Sequence, residues 1–287
     1  ERKLNKNFDD FFAKILLSIG YILSFRTLRK KLGLQRAEFA ASGAAPIAPE
    51  VLKFFMSIGV PLFEAYGMTE NCAYATSNSP ENIKIGTVGI PAHGVELKLA
   101  DDGEILIRSG GVFKGYFKDD QATSETIDKD GWLHTGDVGI YEGDFVKIID
   151  RKRDIIITSG GKNVSPSEIE NKIKVSPFIK EAIVIGDRRK FLSVLIGIEF
   201  DTVSNWALRK NIPHTTYRDL SEKQEVKDLV WKEISKANEL TSSLEVREFR
   251  MIPKELDHEE GELTATQKVK RNVLIDQFSD LIEEMYS

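Results

Sequence analysis

Apolar residues recur at helical spacing near the start of the chain and then give way to short apolar runs. The spacing over residues 8–32 predicts an amphipathic helix. Its most apolar part, residues 15–23, is too short to span a bilayer, so we expect a buried helix. Apolar runs at residues 38–41 and 60–66 predict strands, and residues 49–58 between them predict a helix. A strand, a helix and a second strand in this order indicate an α/β unit.

The pattern of residues 86–150 is different, because short alternating segments are interrupted by glycines. Strands are predicted at residues 95–99, 104–108 and 145–149. Short alternating strands between glycine turns are typical of a small antiparallel barrel or sheet, and both forms remain open.

Beyond Arg151 helices and strands alternate in a third style. The predicted elements are a helix from Pro166, a hairpin at residues 179–186 and 193–199, and polar helices at 221–240 and 266–286. These elements indicate a compact α+β unit. We therefore predict an α/β fold with two domains. Residues 1–150 would hold the α/β sheet unit and a small β-barrel, and residues 151–287 a small α+β domain.

Composition places the chain among ordinary globular proteins and excludes several classes of function. Of its 287 residues, 41% are hydrophobic and 30% are charged, as in chains that bury a core. The net charge of −5 gives no basic excess, so we expect no nucleic acid partner. Cys72 is the only cysteine, which excludes an internal disulfide and a cysteine metal cluster. Acidic Asp9 and Asp10 argue against a signal peptide, and we expect a cytoplasmic protein.

The densest combination of charge, glycine and helix-start residues lies at residues 150–170. The β-branched run 155–158 predicts a short buried strand. This strand enters a turn of small residues, namely Ser159, Gly160 and Gly161. Ser165 and Glu168, on either side of Pro166, form a capping pattern that begins a helix. A simple connector between two elements remains the alternative.

Two turns that follow predicted strands carry residues suited to a nucleotide. The first turn consists of Tyr66, Gly67, Met68, Thr69 and Glu70, at a strand end where open α/β sheets bind ligands. Its aromatic ring suits base stacking, its hydroxyl a phosphate, and its carboxylate Mg²⁺. The second turn consists of residues too small to block a planar ligand, namely Ser42, Gly43, Ala44, Ala45 and Pro46. For the first turn, the alternative is an ordinary capped turn. For the second, it is a tight connection between a strand and a helix.

Two further segments carry candidate chemistry. Asp137 follows a glycine, and its carboxylate is suited to accept both hydroxyls of a ribose, although turn formation is the commoner role. His134 has no partner at metal-ligand spacing, so we expect a structural role for it. Lys268 follows an acidic loop and is suited to act as a point charge on a phosphoryl or carboxylate oxygen. The alternative for Lys268 is the basic first turn of a helix.

Five motifs follow one another along the chain. They are SGAAP at 42–46, YGMTE at 66–70, GEILIRSGGVFKGYFKD at 103–119, HTGD at 134–137 with DRKRDIIITSGGKNVSPSEIE at 150–170, and LTATQKVKR at 263–271. In this order they resemble the adenylate-forming superfamily of acyl-CoA synthetases, peptide-synthetase adenylation domains and luciferases, from about residue 28 to residue 281. Residues 199–207 and 246–253 are similar to the long-chain fatty acyl-CoA synthetases within it.

The resemblance implies an AMP-forming ligase that uses ATP, Mg²⁺ and coenzyme A. A long-chain fatty acid would attack the α-phosphate of ATP to form acyl-adenylate, and coenzyme A would then displace AMP. The residues that would bind the nucleotide are Gly43, Ala44, Ala45, Pro46, Tyr66, Gly67, Met68, Thr69, Asp137 and Arg151. Tyr66 would stack on adenine, while Asp137 and Arg151 would hold the ribose. Thr69 and Glu70 would act in catalysis, with Glu70 as the Mg²⁺ ligand.

The resemblance also implies roles for residues nearer the C-terminus. Lys268 would be catalytic, because its charge would stabilise the first transition state. Arg153, where many relatives carry Lys or Asp, would be the hinge on which a C-terminal lid domain rotates. After rotation, the loop of Ser159, Gly160 and Gly161 would line the coenzyme A channel.

The glycine-, serine- and threonine-rich phosphate loop of the superfamily has no counterpart in this sequence. We therefore expect the chain to be the C-terminal part of a longer enzyme and to be inactive alone. The alternatives are a non-catalytic relative that binds a nucleotide or a partner protein, and acyl transfer to the phosphopantetheine of a carrier protein. Because long acyl chains partition into bilayers, peripheral membrane contact is compatible with the sequence, although no amphipathic anchor is evident.

Overall fold

The chain forms two compact units, one that ends at Lys152 and one that begins at Arg153. The computed structural model describes residues 19–240, 245–264 and 268–287. Among these residues, no helix is both long and apolar enough to cross a membrane.

The first described element is a helical segment, which consists of a π-helical turn, Tyr21–Phe25, and helix α1, Arg26–Lys31. The predicted helix over 8–32 lies partly outside the described residues, because those begin at 19. The expectation of burial is wrong for Ile19 and Tyr21, whose exposed fractions are 47% and 43%. Neither joins a described hydrophobic cluster. The Arg29 side chain donates hydrogen bonds to the Leu34 carbonyl, which link α1 to the turn that follows it.

The predicted strand–helix–strand unit is confirmed. Strand β1, Ala40–Ser42, lies parallel to β2, Leu62–Tyr66, and helix α2, Pro49–Ser57, connects them. Pro49 suits the first turn of α2, where the missing N–H has no helical partner. The sheet continues with two short antiparallel strands in the order β1-β2-β3-β4, and these are β3, Thr76–Ser77, and β4, Ile90–Pro91.

A second four-stranded sheet completes the first unit as an antiparallel meander. Its strands are β5, Val95–Leu99; β6, Glu104–Ser109; β7, Leu133–Glu142; and β8, Phe145–Arg151. The sequence predicts β5, β6 and β8 but misses β7 and the short helix α3, Asp120–Thr126. Val146 of β8 exchanges backbone hydrogen bonds with Val88 and Gly89, which links this meander to the first sheet as in a partly closed barrel.

The second unit begins with a small hairpin and a capped helix. Strand β9, Ile156–Ile157, pairs with β10, Asn163–Val164, so the predicted strand is shorter than expected, and Ile157 is 51% exposed. Helix α4, Pro166–Ile173, begins as predicted, because the Ser165 side chain accepts a hydrogen bond from the Glu168 amide.

A three-stranded sheet carries the main core of the second unit. Strands β11, Ile179–Ile185, and β12, Leu192–Ile198, form the predicted hairpin, and β13, Val246–Met251, pairs parallel to β12. Every residue of β12 is buried. The helices around this sheet are α5, Phe200–Arg209; α6, Tyr217–Glu222; α7, Gln224–Glu239; α8, Arg271–Gln277; and α9, Ser279–Glu284.

Neither of the two predicted long helices is continuous in the structure. The helix over 221–240 is divided at Lys223, whose backbone is extended, into α6 and α7. The helix over 266–286 begins only at Arg271, because Val269 pairs with Leu263 in a β-bridge, and it is broken again at Phe278. Residues 265–267 lie outside the described residues.

Candidate nucleotide-binding site

The turn after β1 lies against the end of the neighbouring strand. A side chain at Gly43 would place its Cβ 2.9 Å from the carbonyl oxygen of Ala65, so glycine fits this close approach. Ala44 has a positive φ of 68°, and the residues from Gly43 to Pro46 are all exposed. The turn therefore offers a small, open backbone surface beside the end of β2.

The turn after β2 is compact for a steric reason. A Cβ at Gly67 would lie 2.3 Å from the backbone of Ala73, which leaves room only for glycine. The amide of Met68 donates to Asn71 Oδ1 at 2.9 Å, and the Ala73 amide donates to the Met68 carbonyl at 2.8 Å. These bonds hold Thr69 exposed at the start of a short 3₁₀ turn.

Tyr66, Asp137 and Arg151 come together in the first unit. Asp137 on β7 lies opposite Arg151 on β8, and Arg151 Nε is 3.5 Å from Asp137 Oδ1. The Tyr66 hydroxyl donates to Asp137 Oδ2 at 2.6 Å. Burial, together with the adjacent Asp137 charge, raises the pKa of the Tyr66 phenol far above its ordinary value. The structure thus brings the first residue of the YGMTE turn and the predicted ribose pair together around one carboxylate.

Glu104 holds the backbone of β7 next to Asp137, and the sequence did not predict this role. The Gly136 amide donates to Glu104 Oε1 at 2.9 Å, and the Lys152 ammonium lies 3.1 Å from Oε2. Burial raises the pKa of Glu104, but Lys152 and the Gly136 amide outweigh it and hold that pKa below its ordinary value. The Lys152 amide also donates to the Gly136 carbonyl at 2.8 Å. Glu104 belongs to the third motif and directly follows Gly103. This position beside a glycine is the sequence signal that could have indicated its role.

Glu70 has one close phenolic partner in the first unit. Tyr116 Oη donates to Glu70 Oε1 at 2.8 Å, and this bond is the main cause of a raised pKa for Tyr116. The Phe113 amide donates to the Glu70 carbonyl at 2.8 Å, so the second and third motifs are in contact. Within the described part of the chain, no group of three His, Cys, Asp or Glu side chains could hold a metal. Glu70 alone still suits Mg²⁺, which commonly takes one or two carboxylates and completes its shell with phosphates and water.

The remaining candidates belong to the second unit. Arg153 is highly exposed, with its Nε 3.8 Å from Asp154. The residues of the β9–β10 turn, Ser159, Gly160 and Gly161, are exposed. The turn is closed by the Thr158 amide, which donates to the Lys162 carbonyl at 3.0 Å, and Gly161 has a φ of +75°.

Lys268 is exposed in a loop whose two legs are bonded to each other. The Thr264 amide donates to the Lys268 carbonyl at 2.7 Å, and the Lys268 amide donates to Thr264 Oγ1 at 3.0 Å. Leu263 and Val269, the residues on either side of this bonded pair, form an antiparallel β-bridge. Lys268 is therefore held by its bonds to Thr264 and lies before the helix that begins at Arg271, not in its first turn.

The chain is similar to known proteins along both units. Residues 13–117 match the AMP-binding enzyme family, and residues 153–287 match the AMP-binding enzyme C-terminal domain. The chain is 37% identical over 268 residues to long-chain-fatty-acid–CoA ligase FadD15 of Mycobacterium bovis. That similarity covers 92% of this chain and 44% of FadD15, so the chain spans less than half the length of this relative.

Solved structures share the fold. The adenylation domain of a carboxylate reductase from Mycobacterium chelonae gives a TM-score of 0.74 at 25% identity, over 94% of this chain and 41% of that one. O-succinylbenzoate coenzyme A synthetase from Bacillus subtilis, solved with ATP and a magnesium ion, gives a TM-score of 0.60 at 26% identity. This match covers 82% of this chain and 46% of the synthetase. Both comparisons agree with the two family matches and with the five motifs. The chain therefore belongs to the AMP-binding enzyme family, with the adenylate-forming fold that the motifs predict.

Proposed function

We propose that the whole protein activates a long-chain fatty acid with ATP and transfers the acyl group to coenzyme A. A fatty acid carboxylate oxygen attacks the α-phosphorus of ATP, and the bond to pyrophosphate breaks. The thiolate of coenzyme A then attacks the acyl carbonyl, and AMP leaves. The observation that carries the proposal is the cluster of Tyr66, Asp137 and Arg151, since a buried carboxylate beside an exposed guanidinium suits a ribose. The similarity to FadD15 supports a long-chain fatty acid as the substrate.

The first unit would bind the nucleotide. The small turn at Gly43, Ala44 and Ala45 leaves space for the adenine face, and Tyr66 is proposed to stack on the base. Tyr66 is 9% exposed and its hydroxyl is bonded to Asp137, so the ring that would stack on the base is already fixed in orientation. Asp137 would accept hydrogen bonds from the ribose hydroxyls while Tyr66 and Arg151 hold its carboxylate in place.

Phosphate and metal contacts are proposed for the end of the YGMTE turn. Thr69 is exposed and suited to donate its hydroxyl to a phosphate oxygen. Glu70 would bind Mg²⁺, which supplies positive charge to the phosphates when bound. The Tyr116 hydroxyl would keep the Glu70 carboxylate oriented.

The second unit would serve the two half-reactions in turn. Lys268 would approach the substrate carboxylate and the α-phosphate, where its charge stabilises the first transition state. Rotation at Arg153 would then replace Lys268 by the exposed turn of Ser159, Gly160 and Gly161, which would line the coenzyme A channel. We also propose a cytoplasmic location, with peripheral contact to membranes that hold the acyl substrate, and a domain boundary at residues 150–151.

The test is product formation by the whole protein. Incubation with palmitate, ATP, Mg²⁺ and coenzyme A should yield palmitoyl-CoA, AMP and pyrophosphate, detected by mass spectrometry. Acetate is the matched control and should give little product. Absence of acyl-CoA with every fatty acid tried would contradict the proposal, and acyl transfer only to a phosphopantetheine carrier would show a different acceptor.

A further inference from the structure

The loop that presents Lys268 is held at its base by Glu262. The carbonyl of Glu262 accepts the Lys270 amide at 2.8 Å, which closes the legs of the loop below the Leu263–Val269 bridge. The side chain of Glu262 is fully buried, with an exposed fraction of 0%. A buried charge is retained only where it has strong partners, so this carboxylate requires an explanation.

Two partners of Glu262 lie in the segment that follows β13. Lys254 Nζ is 2.8 Å from Glu262 Oε1, and the Asp257 amide donates to Glu262 Oε2 at 2.8 Å. Burial raises the pKa of Glu262, but Lys254 and the Asp257 amide outweigh it, so the pKa lies below its ordinary value and the group is charged at neutral pH. Lys254 also bonds the exposed carboxylate of Glu260. The first leg of the loop is therefore fixed to the segment that follows a core strand.

The second leg is fixed by Arg271, three residues after Lys268. Its Nη1 donates to the Val184 carbonyl on β11 at 2.9 Å, and its Nη2 donates to Glu170 on α4 at 2.6 Å. The Val184 amide donates to the same Glu170 oxygen at 2.7 Å. Arg271 and Glu170 are both largely buried, so water competes little with the pair. This leg is thus bound to both a helix and the central sheet.

We propose that Glu262 and Arg271 are positioning residues for Lys268, which fix the two legs of its loop so that the ammonium is presented in one place. The inference rests on the proposed function of Lys268 in adenylation. A long, flexible lysine side chain needs a fixed backbone to deliver its charge, and a misplacement of about 1 Å can lower a rate roughly 10²-fold. Glu262 would act by fixing the backbone of the loop, and its side chain would not contact the substrate.

The experiment compares the two half-reactions in the whole protein. Fatty-acid-dependent ATP–pyrophosphate exchange reports adenylation, and thioester formation from synthetic acyl-adenylate and coenzyme A reports the second step. Glu262→Gln keeps the shape and removes the charge, while Glu260→Gln is the matched control at the other carboxylate of the same lysine. Arg271→Lys is the second variant, which keeps the charge but loses the two-point contact. Each change is also made in the Lys268→Ala background.

We expect Glu262→Gln and Arg271→Lys to lower adenylation roughly 10²-fold while thioester formation stays within about twofold. Glu260→Gln should leave both steps within about twofold. In the Lys268→Ala background neither variant should lower adenylation further, because the lysine that they position is gone.

Three results would overturn the inference. These are unchanged adenylation, an equal fall in both half-reactions, and a loss that multiplies with that of Lys268→Ala. If Glu262→Gln does not fold, the same readouts on Arg271→Lys decide. Absence of exchange in the unmodified protein would instead overturn the proposed function, and with it this inference.

Discussion

Replacing Asp137 with asparagine removes the negative charge at the centre of the proposed ribose site and changes almost nothing in shape. The Tyr66 hydroxyl can still donate to the asparagine oxygen, so the buried bond of 2.6 Å is weakened rather than lost. A hydrogen bond to a charged group contributes about 1.5–3 kcal/mol, and a neutral one about half as much. Over two ribose hydroxyls the loss is about 1.5–3 kcal/mol, or roughly a 10- to 150-fold rise in the Kd for AMP.

Isothermal titration of the whole protein with AMP measures this change. Asp144→Asn is the matched control, because Asp144 is exposed in the turn between β7 and β8, on the same hairpin as Asp137. The control should bind AMP like the unmodified protein. If Asp137→Asn kept its affinity within about twofold while remaining folded, the assignment of Asp137 to the ribose would be refuted.

Two further substitutions test the packing of β2 and of the turn that follows it. The quantity measured is the free energy of unfolding in urea. Burial raises the pKa of Glu64 from 4.5 to about 7 against an opposing backbone hydrogen bond. The folded state therefore holds this proton more tightly, and the resulting stability is complete below pH 4.5 and is lost as the pH rises through 7. Allowing for partial exposure, the loss is about 1–2 kcal/mol. Glu64→Gln should flatten this pH dependence, whereas Glu50→Gln, at an exposed position of α2, should not. An unchanged slope in Glu64→Gln would refute the reasoning. Gly67→Ala would push a Cβ to within 2.3 Å of the Ala73 backbone and should lower the stability by about 2–3 kcal/mol, whereas Gly110→Ala, which meets nothing within 4 Å, should stay within about 0.5 kcal/mol. Equal effects of the two alanines would contradict the steric reading of the YGMTE turn.

The elements that the sequence predicts correctly are those whose apolar residues have a simple period. Strands β5, β6 and β12 alternate or run continuously apolar, and helix α4 begins at a recognisable cap. Strand β7 was missed although it has a period of two, because two of its inward residues, Thr135 and Asp137, are polar. Polar residues face inward there because the buried carboxylate has partners that only the folded chain supplies.

The break between α6 and α7 shows how packing overrides local preference. Leu220 and Val226 are both fully buried, yet they are six positions apart, which would place them on different faces of one continuous helix. The extended backbone of Lys223 turns both side chains into the same core. Helix propensity alone contains no sign of this change of direction.

In the candidate site, the sequence predicts which residues are involved but not the contacts between them. The motifs locate the residues, but the bond between Tyr66 and Asp137 joins positions 71 residues apart. The hydrogen bond from the Gly136 amide of the HTGD motif to Glu104 depends on a cross-strand contact that is set by the sheet. Such pairings follow from topology and register, which the spacing of residues along the chain does not determine.

The central claim is that Lys268 serves only the first of two half-reactions, and its replacement by alanine tests this most directly. Loss of one preorganised charge at a transition state costs about 3–4 kcal/mol, or roughly 10²- to 10³-fold in rate. We predict that Lys268→Ala lowers fatty-acid-dependent ATP–pyrophosphate exchange by this factor and leaves thioester formation from preformed acyl-adenylate within about twofold. An equal loss in both steps, or no loss in exchange, would contradict the assignment.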